Sequence, residues 1–256
     1  MTRIAIAGAL GRMGTLIIQE AAKAKDMQLV AGLDVVGAGA ALPGGIIVKD
    51  ASHLEAVLRE SKPDVLIDFT IAKAAVNNVC TAANLGIDLV VGTTGFSPEQ
   101  HSQMKKAIDG HVAAVITPNF SLGVNVFWKL VADAAAALKD YDIEIIEAHH
   151  NQKKDAPSGT ALATVEAIKR ALGEKEIVYG REGVMPRGKE IGVHAVRGGD
   201  IVGDHTVLLA GAGERLEIKH QAHSRTALAS GAVRAVEWVV GKEPGIYSMS
   251  DVLKSR

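Results

Sequence analysis

The chain has 256 residues, of which 48% are hydrophobic and 22% are charged, and it contains 27 glycines. This length allows one large domain or two moderate ones, and the composition is typical of a folded protein and not of a disordered one. The formal net charge of −1 gives no general attraction to nucleic acid or to an anionic membrane. We therefore expect neither as a partner.

The N-terminus passes directly into a strand-like segment, without the apolar stretch of a secretory signal. No apolar run approaches the ~20 residues of a membrane-spanning helix, so we expect a cytoplasmic protein. The single cysteine, Cys80, excludes an intrachain disulfide. Because it lies in a helical pattern, we interpret it as a small core residue in preference to a catalytic thiol.

The first half alternates short β-branched apolar runs with helical stretches, which predicts a parallel sheet wound by crossover helices. The predicted strands are residues 3–7, 28–33, 65–69, 88–91 and 112–117. Ser52 and Ser97 each precede a predicted helix with an acidic or amide residue three positions later, which predicts two capping boxes. Pro98 favours the first helical position after Ser97.

From about Ser121 the pattern changes. Helices are predicted at 124–138, 158–172 and 226–240, and strands at 141–148, 191–196, 206–210 and 215–220. The last three strands are separated by glycine-rich turns, which indicates an antiparallel or mixed sheet. We therefore predict an α/β protein, with a Rossmann-type doubly wound parallel sheet and a second, α+β mixed-sheet domain.

A glycine-rich segment, residues 8–14 (GALGRMG), follows the first predicted strand and opens a helix. Glycines allow a sharp bend there, and the helix N-terminus favours an anion, so this context predicts a pyrophosphate site. Leu10 stands where the commonest dinucleotide fingerprint has its middle glycine. A plain glycine-rich turn is the alternative interpretation.

Asp34 ends the second predicted strand, twenty positions after Gly14, where an acidic residue binds ribose hydroxyls. Its carboxylate would repel the 2′-phosphate of NADPH, and Val35 and Val36 supply no compensating cation. We therefore expect a preference for NADH. Arg12 can still reach that phosphate, which leaves NADPH as a second hydride donor; a turn-forming aspartate is the alternative.

Two further loops follow predicted strands at the edge where an open parallel sheet binds its ligand. They are residues 92–95 (GTTG) and 117–120 (TPNF), and both are candidates for the nicotinamide end of the cofactor. Either loop can equally be a simple connector.

The densest chemistry lies in residues 147–160 (EAHHNQKKDAPSGT). Paired histidines end a strand, two lysines occupy a loop, and Ser158 begins a helix whose first amides favour a carboxylate. Reducing a double bond needs a proton as well as a hydride, and we assign the proton to Lys153, with His149 as the rival. A solvated lysine turn is the alternative.

The paired histidines also raise the alternative of a metal site, shared with His194, His205, His220 or His223. The pair lacks HExxH spacing and has no cysteine partner. We therefore expect no metal.

Seven blocks of sequence, taken in order, resemble the 4-hydroxy-tetrahydrodipicolinate reductase family, long called dihydrodipicolinate reductase. They are residues 8–14, 67–70 (IDFT), 92–96, 119–125 (NFSLGVN), 144–150 (EIIEAHH) with Lys153, 155–160, and 197–203 (RGGDIVG). The resemblance implies an NAD(P)H-dependent reductase of lysine and diaminopimelate biosynthesis that converts the cyclic imine dicarboxylate to tetrahydrodipicolinate. It also implies a Rossmann-type domain, 1–120 with 231–256, and a domain at 121–230 that binds substrate and builds a homotetramer.

The family's functional residues match positions of this sequence. His149 and Lys153 match the catalytic pair, and the substrate contacts match His150, Lys153, Ser158, Gly159 and Thr160. The cofactor positions match Gly8, Ala9, Leu10, Gly11, Arg12, Met13, Asp34, Gly92, Thr93, Thr94, Thr117, Pro118, Asn119 and Phe120. Val35 stands where some members carry an Arg that meets the 2′-phosphate, and Asn151 and Gln152 stand where some carry more basic residues.

Two other classes of function stay open at this point. Another two-domain amino-acid or semialdehyde dehydrogenase is one, although a thioester-forming member needs a loop cysteine and Cys80 is predicted in a helix. A non-enzymatic NAD(P)-sensing regulator is the other. It would use the glycine segment and leave the histidines and lysines of residues 147–160 without a purpose.

Overall fold

The structure is a computed structural model that describes residues 1–254. The chain divides into two units, Met1–Leu122 with Thr226–Arg256, and Gly123–Arg225. The boundaries predicted from the sequence fall after residues 120 and 230. Within residues 1–254, no helix combines the length and the apolarity that crossing a membrane requires.

The first unit contains a sheet of seven parallel strands, flanked by helices. Its strands, numbered in chain order, are β1 (Thr2–Ala7), β2 (Met27–Asp34), β3 (Lys49–Asp50), β4 (Val65–Asp68), β5 (Asp88–Val91), β6 (Ala113–Ile116) and β12 (Gly245–Tyr247). They lie in the order β12-β6-β5-β4-β1-β2-β3, with every neighbouring pair parallel. This order is that of a doubly wound Rossmann-type sheet, as predicted.

Helices cover both faces of this sheet. Alternate residues of each strand point to opposite sides, so each strand contributes side chains to two cores. The helices are α1 (Arg12–Ala21), α2 (Leu54–Ser61), α3 (Ala72–Asn84), α4 (Pro98–Ile108), α7 (Thr226–Val239) and α8 (Met249–Lys254). Ile4 and Ile6 of β1 pack in the core formed with α1, α7 and α8. Ala5 and Ala7 pack in the core formed with α2, α3 and α4.

The second unit contains a mixed sheet of five strands. Its elements are β7 (Asp142–His149), α6 (Gly159–Leu172), β8 (Ile177–Tyr179), β9 (Ile191–Arg197), β10 (Gly203–Gly211) and β11 (Glu214–Ala222), preceded by α5 (Leu122–Ala137). The strand order is β11-β10-β7-β9-β8. The pairs β10–β11 and β10–β7 are antiparallel, and β7–β9 and β8–β9 are parallel, which confirms the predicted mixed sheet.

One face of this second sheet forms a core with α5 and α6. Ile143 and Ile145 of β7 are buried there with Val207 and Leu209 of β10. The residue between the two isoleucines, Glu144, points to the opposite face. Burial alternates along β7, so Glu147 and His149, which are buried near the end of the strand, lie on the side covered by helices.

One of the two predicted capping boxes is confirmed and the other is wrong. The Ser97 hydroxyl accepts from the Gln100 amide, and the Gln100 side chain accepts from the Ser97 amide. At Ser52, both the amide and the hydroxyl donate to the Asp50 carboxylate, at 2.8 and 2.7 Å. Asp50 caps a short 3₁₀ turn, Ala51–His53, and α2 begins only afterwards without a side-chain cap. The stronger acceptor upstream displaces the cap that Ser52 would form.

This difference gives a testable expectation about stability. Ser97→Ala should lower the free energy of unfolding by about 1 kcal/mol, because an N-cap hydroxyl is lost. Ser52→Ala should cost clearly less, since its hydroxyl donates to Asp50 on the surface. Urea denaturation of both variants measures the difference; an equal loss in the two would contradict the assignment of the caps.

Candidate active site

The predicted pyrophosphate segment forms a tight bend between β1 and α1. Gly8 has a φ of +81°, and a Cβ there would lie 2.7 Å from the Phe69 carbonyl oxygen. A Cβ on Gly14 would lie 2.1 Å from the Gly8 carbonyl oxygen. Both positions therefore require glycine. Gly11 is the N-cap of α1 and has no side chain to bind the first amides of the helix, which begins at the carboxyl edge of the sheet after β1.

Asp34 lies beside this bend, at the end of β2. One carboxylate oxygen accepts from the Leu10 amide at 2.9 Å, and the other accepts from the Val35 amide at 2.8 Å. The carboxylate thus fixes the shape of the bend as well as giving the adjoining cavity a negative charge.

Two cavities follow the carboxyl edge of the parallel sheet. The first, of about 570 Å³, is lined by Gly8, Gly11, Asp34, Val35, Asp50, Ser52 and residues of α2, α3 and the loop after β4. Among its lining residues are two carboxylates, and no lysine or arginine. The second, of about 470 Å³, is lined by Arg12, Met13, Gly92, Thr93 and Thr94, and shares Phe69, Thr70 and Ile71 with the first. A dinucleotide consists of two nucleotides joined by a pyrophosphate, and two adjoining cavities beside the glycine bend fit such a molecule.

A buried carboxylate, Asp68 at the end of β4, holds the loops of the second cavity together. One of its oxygens accepts from the Thr70 amide and hydroxyl and from the Thr93 hydroxyl, at 2.7–3.1 Å. The other accepts from the Asn78 amide group at 2.7 Å. Asp68 lies in the 67–70 segment (IDFT), whose sequence alone does not reveal this role. The loops after β4 and β5 are therefore coupled through one side chain.

The 117–120 segment follows β6 and forms a local turn. The Thr117 hydroxyl donates to the Asn119 carbonyl at 3.1 Å. The Phe120 ring is only 1% exposed and packs against Phe69, with ring centroids 5.5 Å apart. Since Phe69 lines both cavities, Phe120 supports the cavity wall from behind.

In the second unit, the fully buried carboxylate of Glu147 organises the predicted catalytic residues. Arg197 donates to its two oxygens at 2.9 and 2.8 Å. The same oxygens contact Nδ1 of His149, at 2.6 Å, and accept from the Ser158 amide, at 3.0 Å. Although burial opposes it, the hydrogen bonds from Arg197, His149 and Ser158 hold the pKa of Glu147 below its usual value. Glu147 is therefore an anion that four donors surround.

The pKa values of His149 and His205 lie below the ordinary value of histidine, which favours the neutral ring in both. Burial lowers the pKa of His149 against the opposing effect of Glu147, and the charges of Lys153 and Arg197 lower it further. Burial lowers the pKa of His205 to about 4. The rings of His149 and His205 meet edge to face, with centroids 5.2 Å apart. In the described part of the chain, no group of three His, Cys, Asp or Glu side chains is placed to hold a metal ion.

The two lysines of the loop differ. The Lys153 ammonium is half-buried and donates to both oxygens of Asp155, at 2.8 and 2.9 Å, whereas Lys154 is exposed. The backbone of the loop is fixed to the β9–β10 connection, because Gly198 donates to the His149 carbonyl and Asn151 donates to the Gly199 carbonyl. Lys153 thus stands on an anchored loop.

The start of α6 and His150 complete this set. The Ser158 hydroxyl accepts from the Ala161 amide and contacts Nε2 of His205, both at 3.1 Å, so this hydroxyl is occupied as a helix cap. The first-turn amides of Gly159 and Thr160 lie beside it. Arg225 approaches Nε2 of His150 at 3.4 Å and places a cation beside it.

The structure gathers the predicted site residues into two sets. The glycine bend, Asp34 and the 92–94 loop lie along the first sheet, and His149, His150, Lys153 and the α6 N-terminus lie together in the second unit. Sequence reasoning missed the roles of Glu147 and Arg197. The contact of Glu147 with His149 was predictable, since residues two positions apart on a strand lie on the same face. Arg197 is fifty residues from Glu147, so no sequence pattern indicates their contact.

A Rossmann-type sheet with a glycine bend, joined to a unit that clusters His, Lys and a helix N-terminus, defines a two-unit nucleotide-dependent oxidoreductase. The family model described as "Dihydrodipicolinate reductase, N-terminus" matches residues 2–120, and that described as "Dihydrodipicolinate reductase, C-terminus" matches residues 123–253. The chain therefore belongs to the dihydrodipicolinate reductase family.

Individual relatives agree with this family. The 4-hydroxy-tetrahydrodipicolinate reductase of Methanosarcina barkeri is 58% identical over 99% of each chain. That of Methanoregula boonei is 53% identical over 99% of this chain and 98% of its own. A dipicolinate-bound dihydrodipicolinate reductase from Paenisporosarcina sp. TG-14 has a TM-score of 0.82 at 28% identity, with 97% of each chain covered. Amine dehydrogenase from Mycobacterium smegmatis, at 14% identity and a TM-score of 0.61 over 96% of this chain and 94% of its own, shares the fold.

The buried histidines predict how stability changes with pH. His205 has a pKa of about 4 when folded against an ordinary 6.5, so unfolding takes up a proton between these pH values. Stability should therefore fall as the pH drops from 6.5 towards 4. Urea denaturation at about pH 7.5 and about pH 5 measures this fall. His205→Gln, which does not titrate, should lose less over the same interval; an equal pH dependence would contradict a neutral, buried His205.

Proposed function

We propose that this chain catalyses the reduction of 4-hydroxy-tetrahydrodipicolinate to tetrahydrodipicolinate by hydride transfer from NAD(P)H, in diaminopimelate and lysine biosynthesis. The observation that carries the proposal is the similarity, over 99% of both chains, to a curated reductase of this name. The two clusters of residues described above are consistent with a cofactor half and a substrate half.

The first unit is proposed to bind the cofactor, which supplies a hydride to the substrate when bound. Gly8, Ala9, Leu10 and Gly11 would hold the pyrophosphate through backbone amides and the start of α1. Arg12, Met13 and the loop of Gly92, Thr93 and Thr94 line the second cavity, which suits the nicotinamide end. The turn of Thr117, Pro118, Asn119 and Phe120 would complete that end.

We assign a preference for NADH over NADPH to the acidic first cavity. Asp34 and Asp50 border it, and no lysine or arginine is among its lining residues. A 2′-phosphate would bring two negative charges close to these carboxylates without a counterion, which costs binding energy in a partly desolvated site. NADPH remains a weaker donor, because Arg12 directly follows Gly11 of the first cavity and its long side chain can reach the 2′-phosphate.

The second unit is proposed to bind the dicarboxylate. The amides of Gly159 and Thr160 at the start of α6 suit one carboxylate, and His150 and Lys153 supply polar and cationic contacts. Ser158 would act by capping the helix, since its hydroxyl already accepts from Ala161. The dipicolinate-bound relative from Paenisporosarcina is consistent with a ring-shaped dicarboxylate as ligand.

Lys153 is proposed to give the proton that accompanies the hydride. An ammonium carries a proton to donate, and Asp155 holds it in a fixed position. His149, the rival donor, is neutral because burial lowers its pKa, and it is better suited to accept a hydrogen bond. The two residues would then have different roles in one step.

A homotetramer in the cytoplasm is the remaining part of the proposal. The face of the second sheet opposite α5 and α6 carries exposed apolar side chains, including Ile146 at 42% and Val196 at 48% exposed. Such a surface suits burial against another copy of the chain.

Lys153→Ala tests the proton donor. Its kcat should fall by about 10²- to 10⁴-fold, the usual contribution of a positioned general acid. Binding of NADH, measured by fluorescence titration, should stay within about twofold, because the glycine bend lies in the other unit. Turnover is followed by loss of reduced-cofactor absorbance, with substrate made in situ from pyruvate and aspartate semialdehyde by the upstream synthase.

Lys154→Ala is the matched control, since it removes the same charge from the exposed neighbour and should retain activity. Normal turnover by Lys153→Ala would refute the donor assignment. No turnover by the unmodified chain would refute the proposed reaction itself.

Asp34→Asn tests the cofactor preference, since the amide keeps an acceptor for Leu10 while the charge is lost. The ratio of kcat/KM for NADH to that for NADPH should fall by roughly tenfold, or ~1.4 kcal/mol. Asp26→Asn, at the other end of β2, should leave the ratio unchanged. A constant ratio in Asp34→Asn would show that this carboxylate does not select the cofactor.

A further inference from the structure

We propose that Glu147 and Arg197 are positioning residues which fix the tautomer of His149, so that Nδ1 carries the hydrogen and Nε2 is presented as a hydrogen-bond acceptor. Neither residue has a role in the proposed function above. The inference rests on that function only for the part that His149 plays in the reaction.

The hydrogen-bond geometry determines the tautomer. Glu147 is fully buried, and the Arg197 guanidinium binds both of its oxygens, which keeps the carboxylate ionised. An ionised carboxylate can only accept hydrogen bonds. Because Nδ1 of His149 lies 2.6 Å from a Glu147 oxygen, Nδ1 must be the donor, and Nε2 of the neutral ring is left as the acceptor.

The surroundings of His149 keep the ring neutral. Glu147 faces it from the same strand, Arg197 from β9, Lys153 from the loop and His205 from β10. Burial and the two cations oppose a charged ring more strongly than Glu147 favours it, which is why the pKa of His149 lies below its ordinary value.

Gly203 contributes to the accessibility of Nε2. A Cβ at this position would stand 3.1 Å from Nε2 of His149, closer than nearly all side-chain contacts. Its φ is not in the left-handed region, so the conformation of the backbone does not require glycine here. The absence of a side chain instead leaves the acceptor side of the ring uncrowded.

The same carboxylate also orients the start of α6. The oxygen that accepts from the Ser158 amide, Oε1, also accepts from Nη2 of Arg197, whereas Oε2 faces His149 and Nη1. One buried anion thus sets both the ring of His149 and the helix N-terminus proposed to bind the substrate carboxylate. A change at Glu147 should be felt at both places.

This asymmetry predicts the effect of Glu147→Gln. The amide oxygen should take the Oε1 position, because the Ser158 amide and Nη2 of Arg197 can only donate there. The NH₂ group should take the Oε2 position, where the His149 ring can become an acceptor and Nη1 of Arg197 keeps its hydrogen bond to the Val196 carbonyl. The NH₂ group then donates to Nδ1, and the ring hydrogen moves to Nε2. The variant should therefore reverse the tautomer without removing any side chain from the cluster.

The first measurement is the ¹⁵N NMR spectrum of the histidine rings in the full chain at about pH 7.5, with the His149 signals identified by their loss in His149→Asn. We expect a neutral ring with the hydrogen on Nδ1 in the unmodified chain, and on Nε2 in Glu147→Gln. A hydrogen on Nε2, or a charged ring, in the unmodified chain overturns the inference. The spectrum of the unmodified chain tests the tautomer of His149 even if Glu147→Gln does not fold.

The second measurement is the pH dependence of kcat. Glu147→Gln should lower kcat by about 10- to 100-fold, the usual effect of losing a hydrogen bond that orients a functional histidine. The acidic limb of the profile should also move to lower pH, because a negative charge that favours the protonated ring is gone. A purely structural role would lower the amount of folded enzyme and leave the position of the limb unchanged.

Glu144→Gln is the matched control on the same strand. Its carboxylate is held by Arg181, Arg187 and His194 on the opposite face, so this change removes an ion-paired acid without touching His149. The His149 tautomer and the acidic limb should stay as in the unmodified chain. The same response in both variants would overturn a specific role for Glu147.

The two proposals can fail separately. A chain that does not reduce the imine refutes the proposed function, whatever the NMR spectrum shows. A chain that reduces it, with the ring hydrogen of His149 on Nε2, refutes only the roles of Glu147 and Arg197.

Discussion

The carboxylate of Glu147 accepts hydrogen bonds from two other elements of its unit and from its own strand, in a position without solvent exposure. The strand β9 supplies Arg197, the start of α6 supplies the Ser158 amide, and β7 itself supplies His149. A buried carboxylate that loses its cation costs roughly 3–5 kcal/mol, so these elements must keep their relative positions. The positions of His149, Arg197 and the start of α6 therefore depend on the charge of Glu147.

The first unit uses a buried carboxylate in a different way. Asp68 accepts from the hydroxyls of Thr70 and Thr93 and from the amide of Asn78, and no cation is among its partners in residues 1–254. Its partners are neutral donors, of which three converge on one oxygen and one binds the other. Glu147 is thus paired with the cation Arg197, whereas Asp68 joins two loops through neutral donors. The carboxylates that line the first cavity are those of Asp34 and Asp50.

The fold was largely predictable, because the first sheet alternates strand and helix patterns and the glycine bend stands directly after a strand. Three strands gave no signal: β3, β8 and β12 are only 2, 3 and 3 residues long, too short for any periodicity. At Ser52, a local pattern was overridden by a neighbouring aspartate. In the site, the residues within 147–160 were identifiable together, but the contact between Glu147 and Arg197 depends on strand pairing and not on sequence distance.

The first unit is assembled from both ends of the chain, with β12 pairing beside β6 and α7 packing on α1. During synthesis the ribosome releases residues 123–225 before α7, β12 and α8 exist. The middle unit is contiguous and has its own core, so it can reach its native packing while the nucleotide-binding sheet still lacks an edge strand and two of the helices, α7 and α8, that cover one of its faces. A nascent chain of this protein thus exposes apolar sheet surface until translation is nearly complete.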